Sequence, residues 1–247
     1  MKIFEIFGLS RSGHHAMTNW LIKNLCGDEC AMNWKLNIMA NGLYYINEGN
    51  LDESLTLKYI EENKNNIRVL IISYENCDTN YSILNDNKIY KGLLSLNNEN
   101  IKNFSENHRI IFVRDYYNNL ASRIKSNEKN LSKTREGLVQ PWNIDDEFID
   151  QWKDIARNFN RKDFISLKFE DWLESQSVRD DFMKKIINTG EIYDNKVKGT
   201  HSSFNENIGL NSRIDMVEIP YETKELIRKD SELHYLMGRL GYEYKKI

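Results

Sequence analysis

A three-layer α/β fold with a largely parallel central sheet is what this 247-residue sequence predicts. Three observations point there. Four short apolar runs rich in Ile, Val and Phe recur along the chain: KIFEIFG, RVLIISY, RIIFVR and DFISLKF. Unbroken runs of this kind suit strands buried on both faces of a parallel sheet. Helical periodicity occupies intervals between them, and strand–helix alternation is how parallel strands are joined. No internal repeat and no Pro/Gly/Ser linker breaks the pattern, so residues 1–247 are expected to form a single domain.

The elements follow in chain order. KIFEIFG reads as a first strand; the start MKIFEIFG lacks the charged, then apolar, then small-residue pattern of a secretory signal. Behind it, Ala16, Trp20, Leu21 and Leu25 share one helical face. RVLIISY and RIIFVR supply the second and third strands. Phe148, Trp152, Ile155 and Phe159 form a helical stripe ahead of the fourth strand, DFISLKF. Pro220 suits a helix start, and Leu226, Leu233, Leu236 and Leu240 carry a last stripe to residue 240. The polar stretches 76–107 and 124–143 read as insertions or lids.

Composition narrows the function. The chain is 40% apolar and 29% charged, with net charge −3, so nothing suggests general affinity for nucleic acid or anionic membranes and any anion site must be local. No run approaches the roughly 20 apolar residues that a membrane span needs. A soluble, cytoplasmic protein is the expectation. Three cysteines, Cys26, Cys30 and Cys77, suit free thiols. The Cys26–Cys30 spacing lacks the second Cys/His pair of a zinc site, so no metal is expected.

Two segments carry chemistry. In FGLSRSGHHAMTNWL, residues 7–21, Gly8 and Gly13 bracket four residues between a strand and a helix. In that context the N–H groups of Ser10, Arg11, Ser12, Gly13, His14, His15 and Ala16 can converge with the helix's positive end on an anion. Arg11 adds a permanent charge with a planar donor fork. His14 and His15 stand where a nucleotide triphosphatase keeps Lys and then Ser or Thr, so the equipment for magnesium-assisted hydrolysis is missing. The plainer alternative is a tight turn with surface histidines. The second segment, IIFVRDYYNNLASRI, residues 110–124, is a strand ending in Arg114, followed by a helix with Ser122 eight positions later. Charge-assisted bonds from Arg114 and the Ser122 hydroxyl would grip a second anion. Its plainer alternative is a solvated strand end.

SRSGHHAMTNWL resembles the 5′-phosphosulfate loop of sulfotransferases, which runs Lys or Arg, Ser, Gly, Thr, Thr. Arg11, Ser12 and Gly13 match, and His14 and His15 replace the threonines. Arg114 and Ser122 resemble that family's 3′-phosphate clamp in type and interval. LKFEDWL, residues 167–173, resembles its strand-then-YED segment, with Phe169 for Tyr. KGTHSSFNEN, residues 198–207, resembles its late glycine loop, with Lys198 and Gly199 as contacts and Thr200, His201 and Ser202 less securely so. The resemblance spans residues 3–205 and leaves 26–66 and 124–143 unmatched.

The resemblance implies a P-loop NTPase-like sulfotransferase fold. It also implies 3′-phosphoadenosine 5′-phosphosulfate (PAPS) as donor, PAP as product, no metal, and a small-molecule or carbohydrate acceptor with a hydroxyl or amine. Arg11 would stabilise charge on the leaving group by electrostatics alone, because arginine keeps its proton. No single general base carries over from the family. Glu75, ending RVLIISYE, is the preferred catalytic candidate, with His15 and Glu48 behind it; His108 is set aside as preceding its strand, at the opposite sheet edge. Two other readings stay open: a P-loop nucleotide or small-molecule kinase with a degenerate loop, and a non-catalytic nucleotide-binding module. Arg123, Lys125, Lys129, Lys133 and Arg135 form a basic run that is either an acceptor-side lid or a solvated helix face.

Overall fold

Residues 2–26, 38–40, 43–47, 69–80, 106–137, 139–186 and 213–247 are described by the computed structural model. Each of the four apolar runs contributes a strand: β1 (Lys2–Gly8), β4 (Val69–Glu75), β5 (Glu106–Val113) and β6 (Ile165–Lys168). A hairpin of β2 (Ile38–Ala40) and β3 (Leu43–Asn47) adds two more. The sheet order is β2-β3-β4-β1-β5-β6, parallel throughout except for the β2–β3 pair.

Alternation along the central strands explains the layers. Ile3 and Phe7 of β1, Leu70, Ile72 and Tyr74 of β4, and Ile111 and Val113 of β5 point to one face. There they meet α2 (Tyr116–Lys129), α4 (Asp146–Asn158), α7 (Tyr221–Lys229) and α8 (Ser231–Arg239). Phe4, Ile6, Ile71, Ile110 and Phe112 point the other way, onto α1 (His14–Cys26), α5 (Phe169–Glu174) and α6 (Gln176–Ile186). Both faces of the sheet are thereby covered, as the apolar runs require. The expected three-layer α/β architecture is present.

Several boundaries differ from expectation. The final stripe is two helices rather than one: Asp230 ends α7 and caps α8, accepting the Leu233 N–H at 2.8 Å. Consequently Ile227, not Leu226, is the buried apolar residue of α7. His108 lies inside β5, near its N-terminal end, stacked on Phe4 with ring centroids 5.2 Å apart. That still puts it at the edge opposite the glycine loop. The stretch 124–143 is not a free insertion. Residues 124–129 complete α2, α3 (Leu131–Arg135) follows, and Trp142 is bound back to Asn127 by reciprocal bonds of 2.8 and 2.9 Å. Among the described residues no helix is long and apolar enough to cross a membrane.

Candidate functional site

β1, β4 and β5 end together at the carboxyl edge of the sheet, where open α/β sheets bind ligands. Gly8 sits in register with Glu75, and the Asn76 N–H continues the ladder to the Gly8 carbonyl at 3.1 Å. The turn that follows β1 is tight: Ser12 N–H bonds the Leu9 carbonyl at 3.1 Å, and Arg11 and Gly13 take φ of 67° and 83°. Met17 N–H closes the first bond of α1 onto the Gly13 carbonyl at 3.1 Å. The N–H groups of His14, His15 and Ala16 come before it, which is where a helix keeps donors for an anion.

Both glycines are dictated by neighbours. A Cβ on Gly13 would lie 2.2 Å from two ring carbons of Phe169, and one on Gly8 would lie 2.4 Å from Nδ1 of His14. At Gly13 the space that a side chain would take is filled by the ring of Phe169. Phe169 also lies under the Arg114 guanidinium, 4.7 Å from ring centroid to Cζ. It is the spacer between the two predicted anion-binding segments.

The histidines part company. His14 is buried, its Nε2 2.6 Å from Ser73 Oγ and its ring edge-on to Phe112. Burial pulls its pKa down to about 4, partly offset by Glu75 and reinforced by His15. Its ring is thus neutral and engaged with Ser73 beneath the loop, so the plainer alternative of surface histidines does not hold for His14. His15 is partly exposed and places Nε2 2.5 Å from Glu75 Oε1. The second Glu75 oxygen accepts from Ser10 Oγ at 3.2 Å. Burial alone would raise the Glu75 pKa, but the His15 bond, the two imidazoles and the Ser10 bond hold it at about 2.

Arg114 is not a solvated strand end: it is 4% exposed, and its Nη1 donates to the Arg11 carbonyl at 2.8 Å. Trp152 Nε1 fixes the Arg114 carbonyl at 2.9 Å. The guanidinium's Nε and Nη2 are buried with no hydrogen-bond partner among the described residues. Its pKa is pulled down to about 10 by burial, with Glu170 and Asp115 opposing and the charges of Arg213 and Arg11 adding. Glu170 is itself held, accepting the Asp115 N–H at 3.2 Å and the Tyr242 hydroxyl at 3.0 Å. Arg11, Arg114 and Arg213 therefore form a cationic group that faces the carboxylates of Glu170 and Asp115 and, on the Arg11 side, of Glu75.

Other candidates fall elsewhere. Ser122 is buried on α2, and no bond from it to the loop is present among the described residues. Glu48, Lys198, Gly199, Thr200, His201 and Ser202 lie outside the described residues. The basic run is split: Arg123 is 1% exposed, whereas Lys129, Lys133 and Arg135 are exposed. Reading the run as one solvated face missed Arg123 because charge alone says nothing of burial. Arg213 and Asn76 were also missed. An Asn directly after a strand-ending Glu, at φ 58°, was a usable signal, since Asn tolerates the left-handed region; Arg213 had none. Among the described residues no cluster of three or more His, Cys, Asp or Glu side chains could hold a metal.

Fold and geometry together define an α/β protein whose parallel sheet carries, at its carboxyl edge, a glycine-bearing strand–loop–helix turn ringed by arginines. No family model and no curated protein matches the chain. Among solved structures, the chain is similar to the "Sulfotransferase Domain from the Curacin Biosynthetic Pathway", with 16% identity, a TM-score of 0.49 and 99% of each chain covered.

Proposed function

We propose that this protein transfers a sulfuryl group from PAPS to a hydroxyl or amine of a small-molecule or carbohydrate acceptor. The observation that carries the proposal is the buried Arg114, seated against the Arg11 carbonyl with two guanidinium nitrogens unbonded among the described residues. An unsatisfied buried cation is costly, and an anion is the partner that relieves it. A nucleotide with phosphates at both its 5′ and 3′ positions fits a glycine loop beside such an arginine. When bound, that donor supplies the activated sulfuryl group.

The roles of the chain's own residues follow. Ser10, Arg11, Ser12, Gly13, His14, His15 and Ala16 would hold the 5′ side, mainly through backbone N–H groups and the Arg11 charge. Arg114 would hold the 3′-phosphate, helped by Arg213, with Ser122, Lys198 and Gly199 as the family resemblance assigns them. Arg11 would stabilise charge as it develops on the leaving oxygen. For the proton, Glu75 at about 2 is a weak base, and both its oxygens are engaged. His15 is the candidate acceptor: its Nε2 lies 2.5 Å from Glu75 Oε1, and an imidazole paired with a carboxylate is a common general base. Glu75 is then the carboxylate that orients His15, the arrangement that activates many imidazole bases.

Incubation with PAPS and a panel of sugars, alcohols and amines tests this. PAP release should accelerate with some acceptors, and His15→Ala should cut that acceleration about 10²-fold or more while leaving donor binding intact. Release that no acceptor accelerates, or that His15→Ala leaves unchanged, counts against it.

A further inference from the structure

Between the loop and Glu75 lies a side chain to which sequence reading gave no role. Asn76 takes φ 58°, and its Oδ1 accepts two bonds, from the Ser10 N–H at 3.0 Å and from Arg123 Nη2 at 2.9 Å. Its Nδ2 donates to Ser10 Oγ at 3.0 Å, and that hydroxyl donates onward to Glu75 Oε2 at 3.2 Å. The carboxamide thus faces two donors with its oxygen and one acceptor with its nitrogen, which fixes its orientation.

Arg123 is a rigid brace. It is 1% exposed, stacked 4.2 Å over the Phe148 ring, and its Nη1 donates to the Asn143 carbonyl at 2.9 Å. Nothing about this arginine faces solvent, so a surface role does not account for it. The same turn is anchored separately at its far end. The Thr79 N–H bonds Asp154 Oδ2 at 2.8 Å, and Asn158 Nδ2 bonds Thr79 Oγ1 at 2.7 Å.

We propose that Asn76, braced by Arg123, is a positioning residue that locks Ser10 and, through it, the Glu75 carboxylate, so that the anion loop and the His15–Glu75 pair are held as one unit. The proposal rests on the sulfuryl-transfer reading for its purpose, though not for its geometry. Its chemical content is that one buried carboxamide sets both where the Ser10 N–H points and where the carboxylate facing His15 sits. Coupled hydrogen bonds of this kind act as a network rather than as separate contacts.

The test uses Asn76→Gly, which removes the carboxamide yet suits the positive φ. Thr79→Val serves as control, because it loosens the same turn without touching Ser10. The Glu75 carboxyl is titrated by ¹³C NMR in each protein, and PAP affinity is measured by calorimetry. Asn76→Gly should raise the Glu75 midpoint from about 2 by about one unit, a tenfold gain in proton affinity. PAP should bind up to about tenfold more weakly, the worth of a lost hydrogen bond. Thr79→Val should move neither. A folded Asn76→Gly with an unmoved midpoint overturns the proposal, as does an equal shift in Thr79→Val. Should Asn76→Gly not fold, Ser10→Ala breaks the last link of the chain and must raise the same midpoint. A shifted midpoint in a protein that binds no PAP keeps the positioning role and removes the sulfuryl-transfer reading.

Discussion

The Arg114 guanidinium donates from Nη1 to the backbone carbonyl of Arg11 at 2.8 Å, joining the end of β5 to the turn after β1 across 103 residues of sequence. The bond depends on the left-handed backbone of Arg11, at φ 67°, and on the Phe169 ring beneath the guanidinium. A cation fixed from below and from one side, with its remaining donors buried and unbonded among the described residues, is preorganised for an anion.

Gly13→Ala should destabilise the fold strongly. The new Cβ would meet the Phe169 ring at 2.2 Å, and Ala would have to adopt φ 83°. The left-handed penalty and overpacking together cost about 2–4 kcal/mol. Urea unfolding measures it. Phe169→Ala added to Gly13→Ala should recover the steric part only, so the double variant should be more stable than the sum of the two single changes. Strict additivity would show that the two side chains do not meet.

How much of this was legible in the sequence depends on the kind of information each feature needs. The four strands were readable because burial on both faces leaves unbroken apolar runs such as VLIISY. That Glu75 closes its strand was readable too, but its pairing with Gly8 was not, because strand order is not written in the apolar runs. The break at Asp230 was missed because the leucine stripe runs through it, and only the Asp230 cap bond to Leu233 divides the helix. The burial of the His14 ring was not readable because a histidine at a helix start reads as polar, whereas Ser73, 59 residues away, supplies the partner that lets it be buried. Arg123 and Arg213 gained their surroundings only from tertiary packing.

Stability should depend on pH through His14. Its folded pKa of about 4 lies below the ordinary imidazole value of 6.5, so the unfolded chain binds the proton more readily. Stability from the neutral ring is full above the unfolded value and is lost as pH falls through that window. Glu75, lowered from 4.5 to about 2, adds a loss in the same direction at lower pH. Asp115, raised to about 6 chiefly by burial, acts oppositely: its contribution grows as pH falls toward its unfolded value of 3.8. Comparison with His14→Gln isolates the imidazole. The stability difference between wild type and variant should shrink by something on the order of 3 kcal/mol between about pH 7 and about pH 4. Parallel urea-unfolding curves across that range would show that His14 is not buried as a neutral ring.

Arg213→Gln should weaken PAP binding by about fivefold to tenfold, less than Arg114→Ala. Arg213 is half-buried and shares Glu170, whereas Arg114 is buried with donors unbonded among the described residues. Tyr242→Phe, which removes a donor from Glu170, should shift binding in the same direction by leaving that carboxylate to compete for the arginines. Calorimetry at fixed salt distinguishes these effects. Equal affinity in Arg213→Gln and wild type would place that charge outside the anion site.

The central claim, that one doubly phosphorylated adenosine spans the loop and Arg114, is tested most directly by ligand-induced thermal stabilisation. PAP at about 100 times its Kd should stabilise the wild type by about 2.7 kcal/mol, which for a chain of this size is a rise in Tm of roughly 5–10 °C. ADP with magnesium, lacking the 3′-phosphate, should give much less, and Arg114→Ala should lose most of the PAP shift relative to its own baseline. Equal stabilisation by both nucleotides, unchanged in Arg114→Ala, would contradict the account.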